Sequence, residues 1–240
     1  MKMAGNHNVA AWLLFGTIAI STIFPPQASL AFTLDPTTSH ARVNVQPDEA
    51  IDRYQQGLTA AAAGNFNLAI TNFDRAIQLD ARYLQAYIER GNVKDAVGDL
   101  SGAIADYTKA ISIDPKFATA YYNRGTVSAK SGRHSDAIRD FKKAIALDPR
   151  YAPAYMNLGN ELDDLGDSAG ALQNYDRALK IDPNYALAYL NRGIAHERAG
   201  NRTQAIADLQ LAANLFKAAG NLDRYNRALK MISNLRTPAY

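Results

Sequence analysis

The sequence predicts an all-α fold made of five helix-turn-helix repeats and one closing helix. Two series of glycines predict it first. Gly57, Gly91, Gly125, Gly159 and Gly193 recur every 34 residues, and so do Gly64, Gly98, Gly132, Gly166 and Gly200. Alanines keep the same interval at Ala69, Ala103, Ala137, Ala171 and Ala205, and again at Ala76, Ala110, Ala144, Ala178 and Ala212. Asp-Pro pairs at 114–115, 148–149 and 182–183 complete the pattern. A period of this length marks a supersecondary unit that stacks on its own copies.

Along the chain, the first element is of export type. Lys2 precedes an apolar run from Val9 to Phe24, Pro25 and Pro26 end the run, and Ser29-Leu30-Ala31 offers small residues where a signal peptidase reads. Residues 1–31 are read as a secretory signal peptide, with a retained membrane anchor as the alternative. The run is short for a span, which wants about 20 residues. Residues 32–47 contain two prolines and no sustained period, and read as a flexible leader.

The repeats occupy 48–219, in units 50–83, 84–117, 118–151, 152–185 and 186–219. Counted from the first residue of each unit, small residues stand at the eighth and twentieth places, where two helices must approach closely. The second glycine falls at the turn between them, where a backbone without Cβ takes a positive φ. In the Asp-Pro pairs, proline disfavours helical geometry in the residue before it and so stops the second helix. Tyr83, Phe117, Tyr151 and Tyr185 follow each stop and are expected to fill the junction to the next unit. One unit cannot bury its apolar face alone, so stacking makes the core. Beyond the fifth unit, Gly220-Asn221 reads as a stop and a new N-cap. Leu222, Tyr225, Leu229, Ile232 and Leu235 then follow helical spacing, so 220–240 is expected to form a capping helix and tail.

These residues resemble the tetratricopeptide repeat. The family's fourth-place aromatic is matched by Tyr87, Tyr121, Tyr155 and Tyr189, and its large twenty-fourth residue by Phe73, Tyr107, Phe141, Tyr175 and Leu209. Its proline at the thirty-second place is matched by Pro115, Pro149 and Pro183. Arg53, Ala81 and Lys217 depart from the pattern, and the first unit matches least. The resemblance implies a right-handed superhelical solenoid whose first helices line a concave, protein-binding groove. The Asn-Arg-Gly signature at 123–125 and 191–193 resembles repeats of exported cyanobacterial members. That likeness implies an assembly or adaptor role in a periplasm or thylakoid lumen.

Composition narrows the function further. With 48% hydrophobic residues the chain has ample material for a core. A net charge of +3, with both signs interspersed, argues against nucleic acid as a partner. The absence of cysteine excludes a lipoprotein anchor, disulfides, thiol catalysis and thiolate metal sites. His7, His40, His134 and His196 show no metal-ligand spacing. Asp163-Asp164 point about 100° apart on a helix and are expected to be solvated. The reading is therefore a non-catalytic scaffold, with no cofactor, no metal and no small-molecule substrate; the alternatives are a structural component of a permanent complex, or a membrane-tethered adaptor that retains its N-terminal segment. Its partners are other proteins, and membrane contact arises only if the N-terminal segment is retained.

The resemblance places the groove at the second, fifth, sixth, ninth, twelfth and thirteenth places. Asn123, Asn157 and Asn191 hold the sixth place, and Asn92 and Asn160 the ninth. An Asn offers donors and an acceptor, so a ladder of them suits the backbone of an extended peptide. The alternative is that each Asn bridges to the next helix. The fifth place holds Tyr54, Ile88, Tyr122, Met156 and Leu190, an apolar stripe expected to catch partner side chains, or else to pack on neighbouring helices. Being apolar throughout, it lacks the lysines with which some relatives clamp a carboxylate. Finally, Arg90, Arg124 and Arg192 at the seventh place accompany Asp106, Asp140 and Asp208 at the twenty-third. Where Gln56 and Leu158 replace the Arg, Asn72 and Asn174 replace the Asp, which implies an ion pair tying the two helices together in the units that hold both residues; the alternative is that these arginines sit in the groove and bind acidic partners.

Overall fold

The computed structural model describes residues 47–237. The export-type segment and the leader up to residue 46 lie outside the described residues. Those described form eleven helices and no strand. They fall into two compact units that divide between Tyr83 and Leu84.

The first unit pairs α1 (Pro47–Ala62) with α2 (Phe66–Leu79). Phe73 is fully buried against Gly57, where a Cβ would stand 2.5 Å from the ring. The second unit contains α3 (Leu84–Ala96), α4 (Leu100–Ile113), α5 (Ala118–Lys130), α6 (His134–Leu147), α7 (Ala152–Asp164), α8 (Ser168–Ile181), α9 (Ala186–Arg198), α10 (Arg202–Ala218) and α11 (Leu222–Arg236). Within it, α3 packs on α4, α5 on α6, α7 on α8 and α9 on α10. Each second helix then packs on the first helix of the next repeat, and each first helix touches the next first helix. The product is two layers of helices, with α11 packed on α10 at the end.

Local chemistry fixes these elements. The turn glycines from Gly64 to Gly200 have φ between 73° and 86°, and nothing lies within 4 Å of where a Cβ would be. Space is free there; the backbone angle is what demands glycine. The eighth-place glycines are the opposite case, since a Cβ at Gly159 would meet the Tyr175 ring at 2.6 Å. Both alanine series are fully buried beside them.

Helix stops depend on aspartate as well as proline. Asp80, Asp114, Asp148 and Asp182 each leave the helix in extended conformation. Each accepts, at Oδ1, the backbone N–H two residues on, at 2.8–2.9 Å. Asp80 does so with Ala81 in the proline position, so α2 ends without the proline. At the C-terminal end, Gly220 has φ 70° and the Asn221 side chain accepts from the Arg224 N–H at 3.1 Å. The expected stop and cap both form.

Third-place alanines went unremarked in the sequence, yet Ala86, Ala120, Ala154 and Ala188 are fully buried. Ala188 joins the core of the preceding repeat, with Met156, Tyr175 and Leu179. No helix among the described residues is long and apolar enough to cross a membrane.

Candidate functional site

The seventh-place arginines lie inside the repeats and act as ties. Arg124 Nε and Nη2 donate to the two carboxylate oxygens of Asp140 at 2.7 and 2.8 Å. Arg192 meets Asp208 in the same way at 2.7 and 2.6 Å, and Arg90 meets Asp106 at 2.9 and 2.5 Å. Two parallel charge-assisted bonds hold the planar guanidinium in register. It also lies over the fourth-place ring three residues earlier: Arg90 over Tyr87, Arg124 over Tyr121, Arg192 over Tyr189. The bond to Asp208 pushes the Arg192 guanidinium further above its ordinary value, so the pair stays charged. Where the Arg is missing, Asn72 and Asn174 donate to carbonyls four residues earlier in their own helices. The ion pair inferred from the sequence is present. Arg124 and Arg192 also reach back to the preceding repeat, at Thr108 and Asp176.

The sixth- and ninth-place asparagines knit the first-helix layer of the second unit together. Asn123 Nδ2 donates to Asn92 Oδ1 at 3.2 Å, and Asn191 Nδ2 to Asn160 Oδ1 at 2.8 Å. The same acceptors take the buried Tyr107 and Tyr175 hydroxyls at 2.8 and 2.9 Å. Between α5 and α7 the pattern changes, and Asn157 Nδ2 donates to Tyr122 Oη and Thr126 Oγ1 at 3.3 and 3.4 Å. Burial pushes the Tyr122 hydroxyl up, so it remains protonated. The alternative reading of the ladder, bridging to a neighbouring helix, therefore describes the amide nitrogens of Asn123, Asn157 and Asn191 and the oxygens of Asn92 and Asn160. The carbonyl oxygens of the three sixth-place residues are left over.

The fifth-place stripe differs from an open apolar strip. Ile88, Met156 and Leu190 keep only 6–7% of their surface. Met156 lies in a core cluster with Ala188 and Leu179, and Leu190 in one with Leu209 and Phe216. Tyr122 is half-buried between Phe141 and Tyr151, at 6.0 and 4.9 Å between ring centroids. Tyr54, in the first unit, sits likewise between Phe73 and Tyr83. Packing within and between repeats consumes most of the area that fifth-place side chains would otherwise expose.

Asp163 also departs from expectation. Its side chain is 8% exposed rather than solvated, since it pairs with Arg198 of the next repeat. Its Oδ1 is buried without a partner. Two junctions earlier, Lys130 pairs with Asp95 at 2.6 Å in the same register. These twelfth-to-thirteenth-place pairs were missed in the sequence. The signal was there, because Asn92/Asn160, Asp95/Asp163 and Lys130/Arg198 recur at twice the repeat interval.

Stacked helical hairpins with a bonded first-helix layer define a helical-repeat solenoid. Family models described as tetratricopeptide repeats match residues 96–132 and 159–200, 118–151, and 141–173, and they support placing the repeats in that family. A crystal structure of the MamA protein is similar at 26% identity and TM-score 0.64, covering 72% of this chain and 94% of that one. A second MamA crystal structure is 27% identical, with TM-score 0.62, covering 68% and 96%. YrrB, described as a repeat protein with an unusual peptide-binding site, shares the fold at 23% identity and TM-score 0.59, covering 76% and 93%. No curated protein matches the chain.

Proposed function

We propose that this chain is a non-catalytic scaffold that holds an extended segment of a partner protein against its first-helix layer. The fold itself supports a role in protein–protein interaction. The observation that carries the finer reading is the row of amide oxygens on Asn123, Asn157 and Asn191. Their nitrogens are committed to neighbouring helices, while the side chains remain partly exposed. Such a row meets backbone N–H groups of an extended chain without reading its side chains. The export-type N-terminus favours an assembly or adaptor role outside the cytoplasm, in a periplasm or thylakoid lumen.

The test is capture of partners by the protein from its native envelope, followed by titration of two unrelated captured ligands. Replacing Asn123, Asn157 and Asn191 together by Asp keeps the side-chain shape and removes the donors. It should weaken packing between repeats, seen as a lower melting temperature. Replacing the same three by Ala should also remove the acceptors and weaken both ligands by roughly ten- to a thousandfold, at about 0.5–1.5 kcal/mol per hydrogen bond. Unchanged binding by the Ala variant, with helix content intact, would move recognition to another face.

A further inference from the structure

The orientation of the Asn92 amide, and through it that of Asn123, is set by a neighbouring charge. Asn92 donates its Nδ2 to Glu89 Oε2 at 3.0 Å, and an ionised carboxylate only accepts. Asn92 must therefore turn its Oδ1 away from Glu89, where it takes the Tyr107 hydroxyl of its own repeat and the Asn123 amide of the next. Asn123 is fixed as the donor, and its own Oδ1 is turned away from that junction. Asn191 is arranged similarly, with Nδ2 spent on Asn160 Oδ1 and Met156 Sδ. Asn157 spends its Nδ2 on Tyr122 and Thr126.

The sixth places of the second unit thus present four oxygens, from Glu89, Asn123, Asn157 and Asn191, one repeat apart. Both amide N–H groups of Asn157 and of Asn191 are engaged, as is one of Asn123. Glu89 has the Asn92 amide as its partner and no ion pair. Burial pushes its carboxyl up, which marks a charge short of solvent and of a cation.

The charges around this row have the same bias. At the sixth, twelfth and thirteenth places of the second unit stand the carboxylates of Glu89, Asp95, Asp163, Asp164 and Glu197, against Lys130 and Arg198. Both of those cations are already bound, to Asp95 and Asp163. Asp164 and Glu197 are exposed, and no cation pairs with either. Asp163 keeps a buried oxygen with no partner. Carboxylates outnumber cations at these three places, in a chain whose net charge is +3; the seventh-place arginines of the same helices are bound to Asp106, Asp140 and Asp208 of the second helices. Acceptor geometry and charge are independent features, and both select for donors.

We propose that the first-helix layer takes a cationic, extended polypeptide segment, whose backbone N–H groups meet the sixth-place oxygens and whose Lys or Arg side chains meet Glu89, Asp164 and Glu197. This rests on the scaffold reading above and adds the charge of the partner. Lysine-tailed clamps select carboxylates; this layer has the opposite polarity.

The experiment uses the full chain and three labelled ten-residue peptides that alternate Thr with Lys, with Gln or with Glu. By fluorescence anisotropy at low salt, the Lys peptide should bind about tenfold tighter than the Gln peptide, equivalent to 1.4 kcal/mol. The Glu peptide should bind weakest. Adding salt to about 0.5 M should collapse that ranking, since exposed charges are then screened within a few Å. The variant Asp164→Asn/Glu197→Gln, both exposed and outside the packed core, should lose most of the Lys preference and keep its helix content. Equal binding of Lys and Glu peptides, no binding of the Lys peptide, or a preference that survives in this variant would each overturn the proposal. Loss of all peptide binding in the Asn-to-Ala variant, together with no charge ranking, retains the groove and removes only its selectivity. A Lys preference unaffected by the Asn-to-Ala change removes the groove reading instead.

Discussion

Asp140 is 2% exposed, and Arg124 is its cation. Replacing Arg124 by Leu leaves that carboxylate buried and unpaired, which should cost about 3–5 kcal/mol. Replacing Asp140 by Asn leaves a guanidinium that is partly exposed and can turn to water. The loss there is of hydrogen bonds to a charged group, about 1.5–3 kcal/mol. If the two sites were independent, the double variant would lose the sum. The chain itself contains the double replacement, because Leu158 and Asn174 hold these places in the fourth repeat. There Asn174 donates to the Gly170 carbonyl at 2.8 Å, so its amide is satisfied without any arginine. Arg124→Leu/Asp140→Asn should therefore cost only about 1–3 kcal/mol. What remains is the stacking on Tyr121 and the bond to Thr108, about 0.5–1.5 kcal/mol each. The assay is urea denaturation of all four proteins followed by helix signal, with slopes compared to verify a common transition. Coupling of about 3 kcal/mol is expected, and Arg124 with the distant Asp208 should show none. Additivity of the Arg124 and Asp140 losses within about 0.5 kcal/mol would refute the ion pair as a structural tie.

Two further predictions concern the core and the N-terminus. Gly159→Ala places a methyl 2.6 Å from the buried Tyr175 ring, whose hydroxyl is held by Asn160, and should lower stability by about 1–3 kcal/mol. A melting temperature equal to that of the parent would mean that the helices of this repeat separate freely. The native protein should begin near Phe32; N-terminal sequencing that finds Val9 to Phe24 still attached would favour the tethered adaptor.

Features that depend on one hairpin were legible in the sequence. Turn glycines, the Gly57–Phe73 type of contact and the Arg–Asp ties all join residues at fixed separations inside one repeat. The 34-residue period displays those separations several times over, so agreement between copies replaces a solved structure. Asp80 shows the limit of reading motifs by their most visible member. Proline drew attention at the helix stops, while the aspartate before it also ends α2, where there is no proline.

What joins one repeat to the next was decided only by the tertiary structure. The sequence reading put Met156 and Leu190 in an apolar stripe, and packing against neighbouring helices buries both. It ranked the asparagines as groove residues, but could not say which end of each amide the neighbouring helix would take. Asp163 looked solvated because Arg198, its partner, lies 35 residues away in the next repeat. The physical reason is common to all three. A periodic sequence fixes the conformation of each hairpin through short-range sterics and hydrogen bonds, so it states what each repeat is. The rotation between successive hairpins is set by side-chain packing across their shared surface. That rotation decides which atoms are spent on the junction and which remain for a partner.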